Sequence, residues 1–213
     1  MPRTRPQATR PKKQAPFSFW KRLKEVSMFF AGKDEVHKSL RRIVNRLKRA
    51  GIPYAVMGGM AVNAHKYVRT TGDVDLLLTP EGFEEFQRRY VTKNYRRVEG
   101  RDRRFVDRIN NVGIDFLLTG RYPGSGVPGP IRFPDPERVG EPIDKAAVVN
   151  LPTLVELKLA ARRYRDFGDV VELIRFNDLD ESFADRLHPS VRRDYSECLE
   201  EKRRNDEYDA REG

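Results

Sequence analysis

The chain is almost without cysteine: Cys198 is the only one in 213 residues. A single thiol makes no intrachain disulfide and no cysteine-based zinc cluster, so a reducing cytosol is the expected setting. Long apolar runs are missing as well. Nothing approaches the ~18 residues of a membrane-spanning helix, and no membrane insertion is expected. The opening, MPRTRPQATRPKKQAPFSFW, lacks the apolar stretch of a secretory signal, although its Arg-rich, acid-poor character also fits a transit peptide. Histidine is scarce. His37, His65 and His188 form neither an H-E-x-x-H nor an H-x-E spacing and are given no catalytic role.

Acidic residues are scarce at the start. Residues 1–50 hold 15 Lys or Arg against 3 Asp or Glu, a balance of +12, while the remainder stands at −2 within a net charge of +10. A basic arm on a near-neutral body commonly meets a polyanion, RNA being the natural case; the competing reading is a solvated tail that aids solubility.

The pattern along the chain predicts an α/β (α+β) protein with a short mixed sheet flanked by helices and a helical C-terminal part. Residues 1–31 read as a basic, largely disordered arm, 32–150 as the core, and 151–213 as a helical region packed on it. Within the arm, Phe19, Leu23, Val26 and Phe30 recur at helical spacing. Asp34 is placed to cap a helix from about Lys33 to Ala50, whose apolar face is Val36, Leu40, Ile43, Val44 and Leu47 and which Gly51 ends. IPYAVM, DVDLLLT, YRRV, RRFVDRI, VGIDFLLTG and KAAVVN read as strands. Residues 121–142, rich in Gly and Pro, read as a long loop. TLVE at 153–156 matches a capping box, and the helical run after it is expected to break or bend near Gly168. From about Pro189 to Ala210 the pattern is that of an exposed, charged helix with few apolar anchors.

The chemistry concentrates in GGMAVNAHKYVRTTGDVDLLL, residues 58–78. Residues i and i+2 of a strand share a face, so Asp73 and Asp75 project together. Two converging carboxylates suit a hard cation, Mg²⁺ or Mn²⁺. Asp115, a charge between Ile114 and Phe116, is placed to complete a two-metal clamp from a neighbouring strand. Gly58 and Gly59 leave bare backbone at a strand-to-helix turn, where N–H groups can approach a phosphate. Taken singly, a D-x-D, a glycine pair and a strand acid are weak signals. Their order is what is specific: Gly-Gly, 13 residues, Asp-Val-Asp-Leu, then Ile-Asp-Phe on a later strand.

In that order the chain resembles the DNA polymerase beta-like nucleotidyltransferase superfamily. With Arg69 and Thr71 ahead of the acids, it is similar to the small bacterial branch of AbiEii-type toxins and antibiotic nucleotidyltransferases. LPTLVELKLAARRYRDFGDVVELI resembles a Lys/Arg-Asp segment of that branch, which falls here on Lys158, Arg163, Arg165, Asp166 and Asp169. The resemblance covers about residues 36–175. It implies Asp73, Asp75 and Asp115 as catalytic and metal-binding residues, and Gly58, Gly59, Arg69, Thr71, Lys158, Arg163 and Asp166 as nucleotide-binding ones. The implied activity moves an NMP from an NTP to an acceptor hydroxyl. RNA, tRNA or protein competes as acceptor with a small molecule, and an antitoxin partner comes with the toxin-like reading. A non-catalytic nucleic-acid-binding protein on the same fold is the alternative of another class. The chain departs from the family pattern at Met60, which stands where a serine would follow the glycines, so phosphate contact there falls to backbone. If the helix is continuous, Lys158, Arg162, Asp166 and Asp169 share one face. They then form either a phosphate grip or a surface ladder of ion pairs.

Overall fold

The computed structural model describes residues 19–212, with side chains from Lys24 onward; the basic stretch before Phe19, and most of the expected disordered arm, lies outside them. The first described helix, α1, is Phe19–Phe30. The apolar residue it seats on the body is Phe29, edge-on to His37 at 4.9 Å, whereas Val26 and Phe30 of the expected stripe are exposed. One residue is about 100° of helical turn, so the helix lies rotated by that much from the expectation.

Asp34 accepts hydrogen bonds from the backbone N–H groups of Val36 and His37 at 2.6 and 3.2 Å. It caps α2 (Glu35–Ala50), which ends at the left-handed Gly51. Then follow β1 (Ala55–Met57), α3 (Gly58–Ala64), β2 (Asp73–Leu78), α4 (Pro80–Tyr90), β3 (Tyr95–Val98), β4 (Arg101–Asp107) and β5 (Gly113–Leu118). Beyond them lie α5 (Pro136–Val139), β6 (Gly140–Ile143), β7 (Ala146–Val149), α6 (Leu151–Ala161), α7 (Tyr164–Phe176), a 3₁₀ turn and α8 (Pro189–Glu212). The sheet is mixed and seven-stranded, in the order β3-β4-β5-β2-β1-β7-β6. β2 pairs parallel with β5 and β1 with β7, and the other neighbours are antiparallel.

Strand alternation gives the sheet two unlike faces. Val74, Leu76, Ile114, Phe116 and Phe105 turn to one side, where α4 brings Phe83 and Phe86 into an aromatic cluster; Phe86 and Phe116 lie 4.5 Å apart. α2 closes the same side, with Arg46 donating to the Tyr95 hydroxyl at 2.9 Å and Ser39 donating to the buried Asp107 at 2.8 Å. The opposite face carries Asp73, Asp75 and Asp115 toward a cleft.

Four local expectations give way. The stretch 121–142 is loop only in its first part: Asp135 caps α5 and Gly140 begins an edge strand. The cap of α6 is Asn150, whose side chain accepts from the Thr153 N–H at 3.0 Å, and Pro152 sits just inside the helix start. Thr153 is therefore inside the helix, and Glu156 accepts from the His188 backbone N–H instead. The helical run breaks at Arg162, which takes a left-handed conformation (φ 54°), and Gly168 lies within α7. Lys158, Arg162, Asp166 and Asp169 thus lie on two helices with a break between them; Arg162 turns away to Asp194 at 3.0 Å. Finally, α8 is charged as expected but firmly anchored at its start by Val191, Tyr195, Cys198 and Leu199. Burial and nearby acids push the Cys198 thiol up to about 12.

Candidate active site

The strand register sets four side chains in one row across the sheet. Met57 lies opposite Asp75, Asp75 opposite Asp115, and Asp115 opposite Arg104. Directly paired residues point the same way, so Asp75, Asp115 and Arg104 rise together with Asp73, two residues before Asp75. They line a cleft of about 620 Å³. Gly58, Gly59, Arg69, Thr71, Lys158, Arg163 and Asp166 line it too, so the cleft gathers all ten residues singled out from the sequence; Arg165 joins them and Asp169 stands behind.

The glycine pair has a steric reason. Gly58 has a positive φ of 58°, and a Cβ on it would lie 1.8 Å from Asp75 Oδ2. A Cβ on Gly59 would come within 2.8 Å of Thr71. The bare backbone at the start of α3 is thus what lets the Asp75 carboxylate and Thr71 close in, and Thr71 Oγ1 in turn donates to Asp73 Oδ1 at 3.1 Å. Gly58→Ala combines a steric clash with backbone strain. It is expected to displace Asp75, to lower stability by roughly 1–3 kcal/mol and to remove most activity, as melting temperature and turnover would report.

Among the described residues, none donates a hydrogen bond to Asp75 or forms an ion pair with it. Burial, together with the neighbouring Asp73 and Asp115 charges, pushes its carboxyl up to about 7. Asp115 is also raised by burial, against the pull of Arg104, which donates from Nη1 to Asp115 Oδ2 at 2.7 Å. The same guanidinium stands 3.8 Å from Asp73. Arg104, with Arg101 and Arg103 beside it on the cleft wall, is what the sequence reading missed. Its signal is R-D-R-R at 101–104, but only the pairing of β4 with β5 gives that signal meaning.

A buried network forms the far wall. Lys158 Nζ donates to Asp166 at 3.0 Å and to Asp169 at 2.6 Å. Asp169 also receives Nε and Nη2 of Arg69 at 2.5 and 2.7 Å, and Asp166 receives Arg163 Nε at 2.5 Å. Burial works against the Asp169 charge, but the Arg69 hydrogen bonds and Lys158 outweigh it and hold the carboxyl below its ordinary value. With Lys158, Asp166 and Asp169 all buried, the segment is no surface ladder. Three cations against two carboxylates leave this wall positive.

Among the described residues, no group of three or more His, Cys, Asp or Glu side chains is preassembled as a set of metal ligands. The donor chemistry nevertheless fits a hard divalent cation. Asp73, Asp75 and Asp115 offer oxygen only, Asp75 is unpartnered, and part of the countercharge comes from the partly exposed Arg104. A cation held there would compete with the guanidinium. Arg104→Gln is therefore expected to tighten Mn²⁺ binding to the nucleotide-free protein, roughly three- to tenfold, through removal of like-charge repulsion. Paramagnetic resonance of free Mn²⁺ measures it, and an unchanged affinity would place the ion away from Arg104.

No protein-family model matches the chain, and no curated protein matches it. Among solved structures it is similar to JHP933 from Helicobacter pylori (15% identity, 71% of this chain and 70% of that one, TM-score 0.43). A second H. pylori protein, named provisionally as a nucleotidyltransferase, shares 16% identity over 78% of this chain and 76% of that one, at a TM-score of 0.44. ANT(2")-Ia in complex with adenylyl-2"-tobramycin shares 15% identity over 76% of this chain and 88% of that one, at a TM-score of 0.37.

Proposed function

We propose that this chain is a metal-dependent nucleotidyltransferase that moves an NMP from an NTP to an acceptor hydroxyl. The observation that carries the reading is the Asp75 carboxylate, unpartnered over the Cβ-less Gly58, in one row with Asp115 and beside Asp73. Asp73, Asp75 and Asp115 are the residues to hold Mg²⁺ or Mn²⁺. The bound ion would supply charge neutralisation at the phosphate oxygens and at the attacking and leaving oxygens.

The protein's own groups bind and orient the reactants. The backbone of Gly58 and Gly59 offers N–H groups to phosphate at the start of α3. The positive wall of Arg69, Lys158 and Arg163 draws the triphosphate against the acids. Arg163, 70% exposed, is its most accessible member, and Arg69 and Lys158 act through their fixed charge. The acceptor oxygen attacks the α-phosphorus, the bond to the β-phosphate oxygen breaks, and pyrophosphate leaves. The acceptor proton passes to Asp115 where that carboxylate serves as base instead of completing the ion site. Positioning and charge make up most of what phosphoryl chemistry asks of a protein.

RNA is favoured as acceptor by the +12 balance of residues 1–50, and tRNA or protein by the toxin-like resemblance. A toxin-like role with an antitoxin partner rests on the sequence resemblance alone. The test is to incubate the protein with each α-labelled NTP, Mg²⁺ or Mn²⁺, and total RNA or cell extract. Label should pass to a macromolecule with wild type and not with Asp75→Asn. A folded protein that binds no triphosphate in the presence of either ion would overturn the reading.

A further inference from the structure

Tyr164 is 99% exposed, and no other large apolar side chain among the described residues exceeds 69%. A ring in full contact with water contributes nothing to packing, so the fold gives no reason for it. Its place does. It begins α7 directly after the break at Arg162, between Arg163 and Arg165, both of which line the cleft. The ring therefore stands beside the lip of the site, its two chain neighbours being arginines of the cleft lining. The β3–β4 hairpin brings Arg101 and Arg103, both exposed, to the same cleft. Seven cationic side chains line the cleft against five acidic ones, before any ion is bound.

We propose that this lip and the hairpin bind a single-stranded polynucleotide. One base stacks on Tyr164, and the flanking phosphates lie on Arg101, Arg103 and Arg165, so that the strand's hydroxyl is led into the cleft. The inference deepens the transferase reading and rests on it only for the purpose of the binding. An exposed aromatic beside arginines is the combination that holds single strands without reading their sequence: the ring takes the face of any base, and the guanidinium groups follow the backbone. A duplex keeps its bases stacked on one another and has no free face to offer the ring.

The experiment uses the full chain and fluorescence anisotropy of labelled 12-nucleotide oligoribonucleotides, single-stranded and as a duplex of equal length, with a deoxyribonucleotide arm alongside. Tyr164→Ala is expected to weaken single-strand binding about five- to hundredfold, the range for loss of one stacked base. Duplex binding should stay put, and Tyr164→Trp should retain affinity. Joint replacement of Arg101 and Arg103 by Gln should flatten the dependence of log K on log salt by roughly 0.7 for each phosphate that is no longer neutralised. Tighter binding of the ribo- than the deoxyribo-oligomer assigns the strand to RNA, and the reverse assigns it to DNA. Equal single-strand affinity for wild type and Tyr164→Ala would overturn the proposal, as would an equal loss on single strand and duplex. Triphosphate binding, measured in parallel, should be the same in Tyr164→Ala as in wild type. If no variant binds triphosphate, the transferase reading falls while the strand surface is still judged on its own data.

Discussion

Asp75→Asn is expected to lower nucleotidyl transfer on the order of a hundredfold or more while making the ion-free protein more stable. The first effect follows from removing the charge of a site carboxylate that has no hydrogen-bond or ion-pair partner among the described residues. The second follows from the same fact. The folded protein keeps Asp75 protonated up to about pH 7, against an ordinary value of 3.8. The fold is therefore progressively penalised as pH rises from about 4 to about 7, and the penalty is constant above that. Asparagine has no such charge to bury. The variant should gain roughly one to a few kcal/mol at pH 8, a figure reduced by the cleft's access to water, and nothing at pH 4. Thermal melts at the two pH values measure this. Mg²⁺ should raise the melting temperature of wild type at pH 8 and leave that of the variant unchanged. A variant with wild-type turnover would remove Asp75 from the ion site, and one without added stability at pH 8 would mean its carboxylate is well solvated.

Asp169→Asn should act in the opposite direction on stability. Asp169 is buried and answers both Arg69 and Lys158, so its loss strands Arg69 in the wall and leaves Lys158 with Asp166 alone. Breaking a buried pair from one side costs roughly 3–5 kcal/mol, which for a chain of this size is about 10 °C in melting temperature. The folded carboxyl titrates below its ordinary value, so the stability it gives is fully present above about pH 4 and is lost as pH falls further. The variant and wild type should therefore differ most at neutral pH and converge in acid. Any variant that remains folded should bind triphosphate less tightly, because Arg69 and Lys158 lose the group that aims them. A melting temperature within a degree of wild type would show that the network is solvated.

Much of the site was legible because its signals are local. The period of two in DVDLLL sends Asp73 and Asp75 to one face while Val74 and Leu76 go to the other, and a lone acid in GIDFLL stands out for the same reason. What escaped depends on pairings between distant parts of the chain. Arg104 faces Asp115 only because β4 pairs with β5 in that register. The break at Arg162 has no local cause, since alanine and arginine favour helix on both sides of it. It coincides with tertiary bonds, Lys158 to two acids of α7 and Arg162 to Asp194 of α8, and these outweigh propensity. At the start of α6 two residues could cap, and Pro152 is tolerated with either; the structure uses Asn150 and holds Pro152 in the first turn.

The parallel pairing of β2 with β5 works as an alignment rule. Leu76, Leu77 and Leu78 lie against Phe116, Leu117 and Leu118 in the same ladder that sets Asp75 beside Asp115. A slip of one residue would invert every side chain of one strand, sending its acids into the aromatic cluster. The apolar ends of these strands thus act as a gauge for their charged beginnings. Substitutions at Leu76, which is buried and does not line the cleft, can misaim the carboxylates without unfolding the chain. Variation in this core would therefore appear as impaired catalysis before it appears as impaired folding.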